Sequence, residues 1–223
     1  FNAIDDVYNA IDDETVAVMI ELVQGEGGVF PFDKEKIKEL AKFLKENDIL
    51  LIIDEVQTGV FRTGEFLASN LYDIEPDIIT LAKGIGGGVP MGAVMTKHKD
   101  IWTAGDHGST FGGNYLVTAA ALEVLDILEN LKDSGTLDET IIYFTKKLND
   151  IFEANRDIFI THVGLGLMRG LRVKDADTLA SLIKTAFEFG VMVLKSGNNT
   201  LRFLPALTIS KSEIDEGFIR LQK

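Results

Sequence analysis

Three short apolar runs constrain most strongly what this chain can fold into. Residues 15–22 (TVAVMIEL), 50–56 (LLIIDEV) and 77–82 (DIITLA) are rich in β-branched side chains and too short to be buried helices. Between the first two, Asp33 can cap a helix whose apolar Ile37, Leu40, Ala41 and Leu44 recur at i, i+3, i+4 and i+7. Strands written as continuous apolar runs, with a helix between them, predict a parallel sheet covered on both faces. Residues 93–96 add a short fourth strand, and QGEGG at 24–28 reads as a glycine-rich turn.

Downstream the pattern changes. Residues 116–131 and 137–152 read as long helices, the second with Ile141, Phe144, Leu148 and Ile151 on one face. Short strands are predicted at 162–173, 191–195 and 200–204. Among them lies a helix with Leu179, Leu182, Ile183, Ala186 and Phe187 in register, stopped by Gly190. Ser210 with Glu213 forms a capping box before a last helix carrying Ile214, Phe218 and Leu221. The fold class is therefore α/β. Residues 1–130 read as part of a large domain built on a mainly parallel sheet, and 131–223 as a connecting helix with a smaller α+β domain.

Composition excludes several function classes. With 46% hydrophobic and 26% charged residues, the chain is a core-forming one. A net charge of −13 repels nucleic acid and anionic membrane, so neither is an expected partner. There are no cysteines, which excludes disulfides and thiolate metal sites, and no metal is expected. No apolar run approaches a membrane span and no signal peptide opens the chain, so the expected location is cytoplasmic. A start at Phe1 reads as the interior of a longer protein, and the upstream part of the fold is expected there.

In an open α/β sheet, ligands bind beyond the carboxyl ends of the strands. Glu21 ends the first run, Asp54 and Glu55 the second, and Lys83 follows the third. A lysine at a buried strand end is unfavourable unless neutral, paired or covalently used. Schiff-base formation is one resolution, and a pyridoxal-type cofactor also wants a carboxylate at its ring nitrogen. Lys83 and Asp54 fit these two roles. Taken alone, Lys83 reads first as a strand-end lysine reaching solvent, and Asp54 equally as a cap for the following turn. LLIIDE also matches a Walker B strand of a nucleotide hydrolase. That reading needs GxxxxGK[ST], which does not occur; Lys83 precedes its glycines.

Five motifs in order carry a resemblance: ELVQGEGG (21–28), IIDEVQTGVFRTG (52–64), PDIITLAKGIGGGVPMGA (76–93), GDHGSTFGGN (105–114) and LRFLPAL (201–207). Together they resemble the class III, ornithine-type aminotransferases, pyridoxal-phosphate enzymes of fold type I, and most of all the members that use acetylornithine. The resemblance implies that Lys83 carries pyridoxal 5'-phosphate as an aldimine and shuttles the proton. It implies that Asp54 pairs with the ring nitrogen, that Val56 packs on the ring, and that Gln57 lies near its phenolic oxygen. Thr110 is similar to a threonine that reaches the partner's cofactor phosphate in a homodimer with a shared active site. Arg202 matches the arginine that receives the glutamate α-carboxylate, and Glu21 the glutamate that pairs with it. A plain salt bridge between Glu21 and Arg202 is the simpler reading of the same two residues.

The implied reaction moves an amino group between N-acetylornithine, or a related ω-amino donor, and 2-oxoglutarate, in arginine biosynthesis. Ornithine, succinyldiaminopimelate and 4-aminobutyrate stay open as donors, as does a catalytically incompetent fragment or homologue. Leu22 and Tyr115 stand where the family often has proline. The phosphate loop, the stacking aromatic and the acyl-group arginine are expected in upstream sequence. Gly86–Gly88 permits close backbone approach beside the cofactor. His98 and His162 read as surface or loop residues, His107 as loop-shaping and Arg62 as structural.

Overall fold

The structure, a computed structural model, describes residues 3–99 and 101–222. In chain order the first elements are α1 (Ile4–Ala10), β1 (Ala17–Ile20), β2 (Val23–Gln24), β3 (Phe30–Pro31), α2 (Lys34–Glu46) and β4 (Leu50–Asp54). They are followed by α3 (Ala68–Tyr72), β5 (Ile78–Leu81), β6 (Ala93–Thr96), α4 (Tyr115–Asp133) and α5 (Thr136–Ala154). The last are β7 (Phe159–Leu165), β8 (Met168–Val173), α6 (Ala176–Glu188), β9 (Leu194–Ser196), β10 (Thr200–Phe203) and α7 (Lys211–Leu221). The described residues fall into two compact units, one within 1–22, 32–61 and 65–127, the other within 23–31, 62–64 and 128–223.

The first unit is built on a sheet of order β1-β4-β5-β6. β1, β4 and β5 are parallel, with Ile20 opposite Ile53 and Asp54 opposite Thr80. β6 runs antiparallel to β5, Leu81 facing Ala93. The reason is chain length: only residues 82–92 separate the two strands, short of the dozen or more that a parallel crossover requires. Burial alternates along the strands. Val18, Ile20, Leu51, Ile53, Ile79 and Leu81 are buried, whereas Met19 is 53% and Val94 56% exposed. Among the described residues, then, the sheet is packed on one face, not on both as the apolar runs predict.

Asp33 caps α2 as expected, its side chain accepting from the Lys36 N–H at 3.0 Å. Ile37, Leu40 and Leu44 form the buried stripe of this helix. Tyr72 of α3 is buried, its hydroxyl shared between the carbonyls of Leu22 (3.1 Å) and Phe32 (2.9 Å). Burial pushes its pKa up to about 12, with Asp33 adding to the effect. No helix among the described residues is long and apolar enough to cross a membrane.

The second unit has an antiparallel sheet of order β7-β8-β10-β9 with α5, α6 and α7. Residues 162–173, predicted as strand, resolve into a hairpin of β7 and β8. Gly164, at φ +98°, faces the Met168 carbonyl so closely that a Cβ would overlap it. QGEGG is the loop of a second hairpin, β2–β3. Its Val23 and Val29 join Met168 in a core cluster, with Val163, Leu165 and Leu204 packed around it. Phe144 of α5 meets Phe203 and Phe218 at centroid distances of 6.5 and 5.7 Å. The capping box of Ser210 and Glu213 is formed, and Asp175 caps α6 by accepting from the Thr178 N–H at 2.7 Å.

Candidate active site

In the first unit, the parallel register brings Asp54 and Lys83 to the carboxyl ends of neighbouring strands. Asp54 closes β4 opposite Thr80 of β5, and Lys83 follows β5 after Ala82. Asp54 is half-buried. Its Oδ1 accepts from the Val56 N–H at 2.8 Å, so one oxygen does cap the following turn. Oδ2 accepts no hydrogen bond from a described residue, which leaves half of the carboxylate for a ligand. Val56 and Gln57 are half-buried in that turn. Glu21 directly follows Ile20, the partner of Ile53, at the same edge of the sheet.

Lys83 is exposed among the described residues. The residue lies just past the last sheet bridge, where no layer of described residues covers it. It is also strained. Its φ of +49° lies in the left-handed region, and it opens a single 3-10 turn, Lys83–Gly86. For a non-glycine residue such a conformation costs about 1–3 kcal/mol and is concentrated at functional sites. Gly87 closes this turn at φ +59°, and a Cβ there would lie 2.5 Å from Cγ2 of Val124. The close approach is thus to a helix side chain.

Glu55, next to Asp54, has a different task. It is 1% exposed. Oε2 accepts from the Thr58 hydroxyl (2.7 Å) and the Ala68 N–H (2.9 Å), Oε1 from the Ser69 N–H (2.8 Å) and hydroxyl (2.9 Å). Four donors satisfy the buried carboxylate and anchor the turn that carries Val56 and Gln57. Val60 and Phe61 complete the turn at φ +53° and +64°, strained for residues of this size. The DE pair in the sequence flags both acids; only the fold separates the open Asp54 from the locked Glu55. Thr110 stands in an exposed stretch of the same unit.

Arg202 belongs to the second unit. Its side chain is 8% exposed, and Nη1 donates to Glu26 Oε1 at 2.6 Å and to the Gly25 carbonyl at 2.9 Å. Glu26, on the β2–β3 loop, is thus a carboxylate partner of Arg202 that sequence reasoning missed. The E of QGEGG was the available signal. That loop is clamped by the β9–β10 turn. Ser196 Oγ donates to the Gly25 carbonyl (2.7 Å) and accepts from the Gly28 N–H (2.9 Å), while Asn198 Nδ2 donates to the Gly27 carbonyl (2.8 Å). Glu26 itself is 68% exposed at its side chain, so a solvent-facing carboxylate covers a buried guanidinium.

Arg62 is structural, donating from Nη1 to the carbonyls of Leu167 (3.1 Å) and Pro205 (2.6 Å). Burial pushes its pKa down to about 10. His98 bonds Asp77 at 3.2 Å, and the His107 ring lies 6.0 Å from that of Trp102. His162 is not a surface residue. It is half-buried on β7, and desolvation, with Arg169 nearby, pushes its pKa down to about 4.

An amine and a half-open carboxylate at adjacent strand ends fit a flat, basic heterocycle bearing a carbonyl group. The profile of the Aminotransferase class-III family matches residues 1–223. The acetylornithine aminotransferase of Wolinella succinogenes is 55% identical over 220 residues, covering 99% of this chain and 56% of that protein. The succinylornithine transaminase of Salmonella enteritidis is 42% identical over 99% of this chain and 55% of its own length. Among solved structures, the N-acetylornithine aminotransferase of Stenotrophomonas maltophilia superposes with a TM-score of 0.86 at 32% identity, over 100% of this chain and 59% of that one. The ornithine aminotransferase of Toxoplasma gondii, described with partial occupancy of pyridoxal phosphate at its active site, gives 0.88 at 28%, over 99% and 53%. The chain thus spans little more than half the length of these relatives. Parallel strand ends bearing lysine and carboxylate, five ordered motifs and a match along its whole length place the chain in the class-III aminotransferases, a pyridoxal-phosphate-dependent family of the α/β fold type I.

Proposed function

We propose that this chain supplies the lysine, ring-nitrogen and α-carboxylate groups of an ω-aminotransferase, which moves an amino group between N-acetylornithine, or a closely related ω-amino donor, and 2-oxoglutarate in arginine biosynthesis. The observation that carries it is the Asp54–Thr80 register, which sets Asp54 beside the strand that Lys83 follows. When bound, pyridoxal phosphate supplies a carbonyl that takes up amines and a ring that draws off electrons.

The chain's own residues do the rest. The Lys83 amine holds the cofactor and moves a proton between the substrate and cofactor carbons. Asp54, through its open oxygen, keeps the proton on the ring nitrogen. Val56 packs on one face of the ring, and Gln57 lies toward its phenolic oxygen. Thr110 reaches the cofactor phosphate of a second copy, which makes the working form a homodimer. Arg202 receives the glutamate α-carboxylate, with the forked geometry suited to it.

The 2.6 Å ion pair supports Glu26 as a further carboxylate that neutralises Arg202 while the other substrate is bound. Leaving a buried guanidinium without a partner would be strongly unfavourable, so an exposed carboxylate able to swing aside suits a site serving two substrates. Glu21, at the Asp54 edge, is the carboxylate that the family resemblance pairs with Arg202 while the ω-amino donor is bound.

The test is Lys83→Ala in the full-length protein with added pyridoxal phosphate. Loss of both the visible band of the lysine-held cofactor and turnover is expected. A band retained in that variant would remove Lys83 from the role. Asp54→Ala should still bind cofactor but slow turnover by orders of magnitude, and a near-normal rate would refute its electronic role.

A further inference from the structure

We propose that Thr80 is a positioning residue for the Asp54 carboxylate, its hydroxyl donating to Asp54 Oδ2 once the cofactor ring is seated. This rests on the reading of Asp54 as the ring-nitrogen partner.

Thr80 stands directly opposite Asp54 in the parallel register. Its neighbours Ile79 and Leu81 are turned into the packed face of the sheet, so Thr80 shares the other face with Asp54. Adjacent strands run about 4.8 Å apart, which puts the two side chains within reach of each other. The Thr80 Oγ1 is buried and has no hydrogen-bond partner among the described residues. Buried hydroxyls are nearly always satisfied, and one left alone is unfavourable. On a strand reading Ile-Ile-Thr-Leu, valine would fill the same space without that penalty.

The row therefore holds a donor with no acceptor beside a carboxylate oxygen with no donor. Oδ1 is already engaged by the Val56 N–H. Oδ2 has two lone-pair positions, one for the proton of the ring nitrogen and one for the Thr80 hydroxyl. The second bond fixes the plane of the carboxylate. It also stabilises the ionised form, so the shared proton stays on the ring.

Thr80→Val and Thr80→Ser in the full-length protein separate this role from plain packing. Three readings are taken: the thermal midpoint without cofactor, the dissociation constant of pyridoxal phosphate, and the pH midpoint of its visible band. Thr80→Val should raise the cofactor-free midpoint, because an unsatisfied hydroxyl is removed, yet weaken cofactor binding about tenfold and shift the pH midpoint of the band. Thr80→Ser should keep wild-type affinity and pH midpoint.

The proposal is overturned if Thr80→Val binds cofactor and titrates like wild type, or if both variants change alike. A lowered cofactor-free midpoint in Thr80→Val also overturns it, because the hydroxyl would then already be satisfied. A wild-type protein that develops no lysine-held band removes the underlying reading of Lys83 and Asp54, and this proposal with it.

Discussion

At the residue scale, neighbouring side chains of the same type have been given different tasks by their surroundings. Glu26 is an exposed carboxylate on a buried arginine, and the pair is joined at 2.6 Å. Glu26→Gln should weaken the neutralisation of Arg202 and free it for carboxylate substrates. The expected result is a lower KM for glutamate and a slower half-reaction with the ω-amino donor, read separately by single-turnover kinetics. Equal effects on both halves would argue for a purely structural pair. His162 gives a stability prediction. Unfolded, it takes up a proton near 6.5; folded, only near about 4, through desolvation and then Arg169. Between those values the unfolded chain binds more protons, so stability is present above 6.5 and falls as pH drops through the window. His162→Gln should flatten urea midpoints measured between pH 6.5 and 4.

At the scale of elements, the active-site turn is held from behind. Glu55 joins the end of β4 to the start of α3 through three hydrogen bonds, and holds Thr58 of the intervening turn by a fourth. Glu55→Gln replaces an acceptor-only group with one that carries donors, and turns an N–H₂ toward existing donors. A loss of about 3 kcal/mol is expected from urea unfolding, with weakened cofactor binding because Val56 and Gln57 lose their anchor. At the other end of the chain, the capping box ties Ser210 to Glu213, with reciprocal bonds of 2.8 and 3.2 Å. Ser210→Ala should cost about 1 kcal/mol by the same measurement and leave the pH profile of the cofactor unchanged.

At the scale of the whole molecule, the homodimer proposal has a physical counterpart in the exposed stretch around Thr110. Phe111 is 80%, Tyr115 95% and Leu116 74% exposed. Under the homodimer proposal, these grouped apolar side chains belong to the surface that a second copy covers. In the full-length protein, Phe111→Asp with Tyr115→Asp should shift the sedimentation species from dimer to monomer. The double variant should also retain cofactor less well, because Thr110 of the second copy is withdrawn. A variant that stays dimeric would move the interface elsewhere.

The sequence by itself determined the elements and their chemistry-bearing ends. Strand runs, helix stripes and caps depend on neighbours a few residues away, so Asp33, Ser210 and Glu213 were legible, as were Asp54 and Lys83 at strand ends. The reversed β6 was legible in principle from the short connection at 82–92. Two short helices, α1 and α3, carry too few periodic residues to stand out. Only the tertiary structure brought Glu26 to Arg202, since the two lie 176 positions apart and nothing local to either residue encodes the contact. The tertiary structure also left Lys83 exposed, locked Glu55 and stranded the Thr80 hydroxyl. Each of these follows from what the rest of the chain brings alongside, a property of packing that no stretch of sequence carries alone.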